Sequence, residues 1–417
     1  MAVSQNDYDL IVIGAGIVGM ATALWAQKEG LNVLICDPNQ PGSGTTYGSA
    51  CTIATYACIP VNNPSVFRSL PHLLTNRESP LSFNLLYGLR NPRWMLSFLN
   101  NCRTANVHHI SGALGQFLTS ADAGLDPLIA EARAEDLMVS NDCLYIWSSR
   151  AGYENAWSSN RLRRAQGVDF DELTPDEIRQ LEPNLQKPIH RGLRFNGARH
   201  VTNPQELVTR MQKRFEVLGG NYLKQSVVRC EPDHAGVTAH TSDGTQIRGD
   251  RLALTAGARS TQVKGTGAER LPLGTERGYH ILFRNHKGYV SRPIGWAEAG
   301  FYATPMAHGL RIAGMVEIDS IDAALNESCI TYLHRKSLEL FGSIGDPDET
   351  WLGHRPTMPD SLPVIGYSKT SNRVIFAFGH QHIGLTLAGV TGKIVTDLAN
   401  GITPQCDIAN FAPQRFG

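Results

Sequence analysis

The sequence predicts an α/β fold. A Rossmann-like dinucleotide-binding domain, assembled from separated segments, carries a second domain built on an antiparallel sheet. Three observations predict it. Residues 8–13 read as an apolar strand running into Gly14-Ala15-Gly16-Ile17-Val18-Gly19, a G-x-G-x-x-G turn. A helix-like run to about Glu29, a stop at Gly30 and a strand over 32–36 follow, closed by Asp37. A strand, a glycine-containing turn and a helix that could complete such a fold return only near the C-terminus.

Each element has a local reason. Gly14 permits the tight turn, Gly16 lets backbone approach a pyrophosphate, and Gly19 lets helix pack on strand. The helix N-terminus, at Ile17 and Val18, aims free N–H groups and its positive dipole end at phosphate. Asp37 would hold ribose hydroxyls, which argues against a 2′-phosphorylated nucleotide. Pro38 opens a loop to Gly48 rich in Gly, Ser, Thr and Pro. Residues 66–140 read mostly helical, with long apolar periodicity over 106–137. Short strands are expected at 144–147 and 192–195. Asn203-Pro204-Gln205-Glu206 opens a helix to about Leu218, ended by Gly219-Gly220. A strand near 222–228 follows. A hairpin turns at Ser242-Asp243-Gly244, and a strand over 251–255 ends in Ala256-Gly257. Residues 271–316 alternate like an antiparallel sheet, and 328–341 read as a helix. The expected boundaries are 1–65, 200–262 and 345–417 for the nucleotide domain, and 66–199 and 263–344 for the second. A fingerprint completed only by the last residues of the chain points to a flavin rather than a nicotinamide.

Composition excludes several classes. With 417 residues, one to three domains and a sizeable core are expected. Lys plus Arg balance Asp plus Glu at 38 each, so nothing steers the chain toward nucleic acid. The eight cysteines contain no C-x-x-C pair, so zinc or iron–sulfur sites are not expected and a reduced cytosolic chain is. Residues 10–27 lack charge but are broken by the three glycines and preceded by Asp7 and Asp9, unlike a signal peptide. Residues 374–392 are interrupted by Gly379, His380, Gln381 and His382. Neither reads as a membrane span. Residues 81–99 mix Phe, Leu, Trp and Arg and could lie at an interface, attaching the protein peripherally to the inner face of a membrane. The plainer alternative is a helix covering the second domain.

Three further segments narrow the reading: Thr45-Thr46-Tyr47-Gly48-Ser49-Ala50; Trp351 through Asp360 with Pro363-Val364-Ile365-Gly366; and Gly379-His380-Gln381-His382-Ile383-Gly384-Leu385-Thr386. Together they resemble the D-amino-acid dehydrogenases, within the FAD-dependent D-amino-acid oxidase and glycine oxidase superfamily. The strands around Tyr302 to Ile318 fit as well, and the resemblance spans essentially the whole chain. It implies a Rossmann-like FAD-binding domain, non-covalent FAD and a role in amino acid catabolism. It also implies hydride transfer from a D-amino acid, cyclic ones such as D-proline or hydroxy-D-proline included. The product is an imino acid that hydrolyses to a 2-oxo acid, or a cyclic imine. Ser49 and Cys51 depart from the Asn and Gly often found there. The Arg355-Pro356 stretch stands where sarcosine oxidases carry their flavin-linking cysteine. No lysine lies in 379–386.

The resemblance also assigns roles. Arg355 would lie over the flavin and grip the substrate carboxylate, since a guanidinium fork matches it bidentately; an ion pair with Asp360 is the alternative. Tyr279 and Tyr302 could donate to that carboxylate or simply fill core, and His380 could assist or take a proton. Thr45, Thr46, Ser49 and Ala50 would lie under the flavin. Val227 would contact the adenine end, and Ala256 and Gly257 the pyrophosphate. Gly379, His380, His382 and Ile383 would form a turn at the cofactor, and N–H groups from Gly384 onward, with Leu385 and Thr386, would point at the flavin edge that turns negative on reduction. No metal ligand set is apparent. Electrons would pass to a quinone or another carrier. Alternatives are an oxidase using O2, a glycine, opine or secondary-amine oxidase, a subunit of a hetero-oligomeric amine dehydrogenase, a non-catalytic flavin binder, or an NAD enzyme.

Overall fold

The computed structural model describes residues 7–64 and 81–416. Two large sheets organise them. In the first, the strand Tyr8–Ile13 lies parallel between Val33–Cys36 and Gln246–Leu254, with Asn221–Leu223 outside Val33–Cys36. Residues 10–13, 33–36 and 252–254 are apolar and buried on both faces, as parallel strands covered by helices must be. The sheet continues antiparallel through Val237–Thr241 to Val227–Pro232. Val374–Phe378 joins Gln246–Leu254 in parallel and pairs with Val364–Tyr367. The first and last segments of the chain thus share one sheet.

The helices Ile17–Lys28 and Gly384–Ala399 cover it together. Their contact is backbone-close, because a Cβ on Gly392 would lie 2.7 Å from Ala21. The helix Pro204–Val217 starts as expected, with the Asn203 side chain accepting the Glu206 N–H at 3.1 Å. The single strand expected at 222–228 is instead two, Asn221–Leu223 and Val227–Pro232, because the chain there serves both edges of the sheet.

The second sheet runs in the order Glu349–Thr357, Gly274–Phe283, Gly309–Ile318, Phe301–Met306, Ile294–Trp296, Cys143–Trp147, Arg191–Phe195 and Phe170–Leu173. Its face carries the helix Glu327–Phe341. The boundary expected at 345 is displaced here. Glu349–Thr357 pairs along its whole length with Gly274–Phe283, so the chain rejoins the first sheet only at Val364.

The helical stretch also departs from expectation. Residues 106–137 split into helices Thr104–Leu118 and Ala121–Glu131 and a short turn Glu135–Leu137. Both helices pack on the first core, not the second. The reason is steric: a Cβ on Gly124 would stand 2.2 Å from Val390 N, so bare glycine lets the helices touch. Residues 81–99 are not one helix. Leu81–Phe83 adds to the second sheet, and helices Leu85–Arg90 and Pro92–Asn101 follow. Trp94 and Phe98 are buried and stacked at 5.2 Å, with Trp94 closing over Gly274. This apolar face therefore covers the second sheet, the plainer of the two readings. The helical expectation for 66–80 lies outside the described residues. Among the described residues, no helix is long and apolar enough to cross a membrane.

Candidate active site

One continuous cavity of about 770 Å³ runs between the two sheets. At its first end, the strand Tyr8–Ile13 delivers the glycine turn. Gly14 has φ +102°, and a Cβ there would stand 2.8 Å from the Thr255 carbonyl oxygen. A Cβ on Gly19 would stand 1.9 Å from the Gly14 oxygen, so Gly19 is what seats the helix on the strand. Gly16 is different: the nearest atom to its missing Cβ is Thr46 Oγ1, at 3.8 Å. Its bareness opens onto the cavity. The helix that follows has no side-chain cap and no acid in its first turn, while Ile17 N–H donates to the Thr46 hydroxyl at 3.1 Å. The Asp37 carboxylate sits at the rim and accepts N–H bonds from Ala15 and Asn39, both at 2.8 Å. Each of its oxygens keeps a further lone pair. Pro38, Val227, Ala256 and Gly257 line the same end.

The middle is built by the loop before Cys51 and the turn before the last helix. The Thr45 hydroxyl donates to the His354 carbonyl at 2.7 Å, and Ser49 and Ala50 line the wall. Arg311 lies beneath, donating to the carbonyls of Tyr47 and Ser49 at 2.7 and 3.1 Å. Gly379 turns the chain at φ +86°. The helix Gly384–Ala399 then starts without a side-chain cap, with Gly384 and Leu385 at the cavity surface. Gly379, Ile383 and Thr386 do not line the cavity. The Thr386 hydroxyl accepts from Ala54 N–H at 2.9 Å, which ties the loop to the helix.

His380 is buried, with Nε2 3.0 Å from the Thr391 hydroxyl, and burial lowers its pKa to about 3. It is a neutral ring tied to the helix, not a proton carrier at neutral pH. The ring of His382 forms cavity surface, reachable by solvent there yet walled by protein. Burial, and then Arg355, lower its pKa to about 4.

The far end is made of side chains from several strands. Arg355 Nη1 donates to the Met315 carbonyl at 2.7 Å, and Nη2 lies 3.4 Å from that of Gly314. Met315 holds φ +64°, unusual for a side-chain-bearing residue, and this twist turns the strand at that point. A Cβ on Gly278 would come 2.3 Å from Arg355 Nη2, so glycine there makes room for the guanidinium. Asp360, the alternative partner considered for Arg355, pairs with Arg415 at 2.7 Å. Glu276 stands directly across the strands from Arg355 and also lines the cavity. An aromatic wall faces them: Tyr302 and Tyr145, ring centroids 6.1 Å apart, and Tyr56 stacked on Phe195 at 4.0 Å. Arg163 lies over Tyr145 and also lines the chamber.

Tyr279 does not belong to this set. Successive side chains on a strand point to opposite faces, so Glu276 and Gly278 face the cavity while Arg277 and Tyr279 face the second core. The Tyr279 hydroxyl donates to Glu317, which also pairs with Arg277 at 2.9 Å. Sequence reasoning missed Glu276, Gly278, Met315, Tyr145 and Arg163. The one legible signal was Glu276-Arg277, two adjacent charges leading into the apolar run Ile281-Leu282-Phe283. Among the described residues, no group of His, Cys, Asp and Glu is arranged to hold a metal ion.

Backbone donors, a bare glycine and an acidic rim at one end, joined to a guanidinium and aromatic rings at the other, suit a flavin dinucleotide and a small carboxylate together. The model of the FAD dependent oxidoreductase family matches residues 9–398, and the chain belongs to that family. FAD is its cofactor, and the chain is a flavoprotein oxidoreductase. The chain is 31% identical over 415 residues to a D-amino-acid oxidase of Bradyrhizobium diazoefficiens, covering 97% of this chain and 98% of the relative. It is 23% identical to a D-amino acid dehydrogenase of Helicobacter pylori, covering 94% of each. Among solved structures, glycine oxidase from Geobacillus kaustophilus superposes with a TM-score of 0.74 at 17% identity, covering 97% of this chain and 98% of that one. L-Proline dehydrogenase from P. horikoshii superposes at 0.72 with 16% identity, covering 99% and 98%.

Proposed function

We propose that this protein oxidises a D-amino acid at its α-carbon, with non-covalent FAD lying from the Gly14–Gly19 turn to the uncapped start of the last helix. The observation that carries this reading is Arg355, pinned by the Met315 carbonyl at the end of the same cavity. A guanidinium so held keeps donors for a substrate carboxylate and spends little conformational freedom in binding it. FAD, when bound, supplies the acceptor for the α-hydrogen and its electron pair. The chain's own part is to orient the α-carbon between Arg355 and the aromatic wall, and to keep His380 and His382 neutral beside the flavin edge. An imino acid leaves, to hydrolyse to a 2-oxo acid and ammonia, or to stay a cyclic imine.

The flat rings of Tyr302 and Tyr145 suit a compact apolar or cyclic side chain, so D-proline and hydroxy-D-proline are the substrates to try first. A second reading is favoured by Arg163. A second guanidinium in the same chamber would suit a secondary amine bearing two carboxylates, as in an opine.

The test is anaerobic addition of D-proline, hydroxy-D-proline, D-alanine, the L-forms of these three, glycine and an N-carboxyalkyl amino acid to purified protein, following the visible flavin band. Bleaching by D-forms is the expected result. Bleaching by L-forms alone overturns the chirality, and bleaching only by an N-carboxyalkyl amino acid replaces the first reading by the second. Oxygen uptake in turnover then separates an oxidase from a dehydrogenase serving a quinone or other carrier.

A further inference from the structure

Glu276 serves neither the nucleotide turn nor the grip on a carboxylate. It is 1% exposed and lines the cavity, and among the described residues neither Oε1 nor Oε2 makes a hydrogen bond, the nearby Thr357 hydroxyl donating instead to the Arg355 carbonyl at 3.3 Å. Leaving a buried carboxylate without a partner is costly, so such a group points to a cation that arrives with the ligand. The cation can be placed. Glu276 and Arg355 are directly paired across two antiparallel strands, on the cavity face, where such side chains start about 4.5–5.5 Å apart at Cβ. They form no ion pair with each other. Arg355 is instead drawn to the Met315 and Gly314 carbonyls.

We propose that Glu276 holds the amino group of the substrate beside Arg355 and takes its proton, so that the two side chains form a clamp for an amino-acid zwitterion. This rests on the reading of the protein as an amino-acid oxidoreductase. In an α-amino acid the carboxylate and ammonium hang from one carbon, as the positive and negative members of the clamp hang from one strand pair. The step balances simply. One N–H bond of the ammonium breaks, its electron pair stays on nitrogen, and an O–H bond forms on Glu276. The freed lone pair then supports departure of the α-hydrogen, and Glu276 later returns its proton to solvent.

The surroundings fit a group that must change protonation. Burial raises the Glu276 pKa to about 7, against the pull of Arg355 and of the nearby Thr357 hydroxyl. From the strand Glu349–Thr357, Arg355 faces it, while His354 stands across from Arg277 on the opposite face. From the strand Gly309–Ile318, Glu317 also lies on the Arg277 side. His382, the remaining titratable neighbour of Arg355, is neutral above about pH 4.

Glu276→Gln keeps the shape and removes the base. Three measurements are made on the FAD-loaded wild type and variant: the anaerobic reduction rate by a D-amino acid against pH, the affinity for that amino acid, and the affinity for propionate, which has the carboxylate alone. The wild type should lose rate as pH falls through about 7. The variant should reduce about 100-fold more slowly at neutral pH. Its rate should climb only in the alkaline range as the substrate amine itself deprotonates, and propionate should bind at least as tightly as to wild type. An unchanged rate and pH profile overturns the proposal. So does equal weakening toward amino acid and propionate, which would make Glu276 a support for Arg355. A wild type that no amino acid reduces removes the functional reading, and this inference with it.

Discussion

The two ends of the cavity offer different means of recognising a ligand. The nucleotide end works through backbone: three glycines, a helix that starts without a cap, and one carboxylate at the rim. These residues lie within 14–37, in one unbroken stretch. The end proposed for the substrate offers side chains: Glu276, Met315 and Arg355 from three neighbouring strands, with Tyr145 and Tyr302 from two more. Backbone recognition tolerates no added atoms, whereas side-chain recognition tolerates no misplacement. The two ends should therefore fail differently when changed.

The largest effect is expected at the nucleotide end. Gly19→Val puts atoms where the Gly14 carbonyl oxygen stands, 1.9 Å from a Cβ position. Overpacking a core costs about 1–3 kcal/mol where side chains can yield, and here the neighbour is backbone. The protein should melt earlier and purify colourless. A yellow, fully stable variant would mean that this end does not govern flavin retention.

Arg355→Ala should do the reverse: a yellow protein with a KM for the D-amino acid raised about 1000-fold. Two hydrogen bonds to a charged group, each about 1.5–3 kcal/mol, set that scale. A colourless product would show that Arg355 holds the cofactor's domain together rather than a carboxylate.

Gly278→Ala sharpens the contrast, because it leaves every charge in place. The added methyl would stand 2.3 Å from Arg355 Nη2 and push the guanidinium aside. A displacement of about 1 Å costs about 100-fold in kcat/KM, with flavin content unchanged. Steady-state kinetics beside the visible spectrum measure both.

Tyr302→Phe should have the smallest effect. It keeps the aromatic wall and removes one hydroxyl, about 1 kcal/mol or less than about 10-fold in kcat/KM. A much larger loss would move Tyr302 from wall to direct carboxylate donor.

What could be read in the sequence follows the same division. The strand–turn–helix over 8–28 was legible because each residue's demand is local: a turn, a close approach, a helix start. So was the helix Pro204–Val217, with Asn203 at its start and Gly219 at φ +95° after its end. Arg355 was found through a resemblance, not through spacing. Tyr279, which by sequence could serve either the site or the core, lies in the core, because only strand register tells which face a residue occupies. The helices Thr104–Leu118 and Ala121–Glu131 were assigned to the wrong core because apolar periodicity gives a helix its buried face but not its partner.

The sequence by itself determined the nucleotide turn and the capped helices, since these depend on conformational preferences of neighbouring residues, and it pointed to a flavin through where along the chain the fingerprint is completed and through the resemblance. Only the tertiary structure decided that Glu276 meets Arg355, that Gly278 clears space for it, and that Tyr279 turns away. Those outcomes depend on which strands pair and in what register. The pairing with Glu349–Thr357 is regular along its length and sets Glu276 opposite Arg355, while the irregularity between Arg277 and Tyr279 falls only against the strand carrying Met315. A one-residue slip would send every one of those side chains to the opposite face.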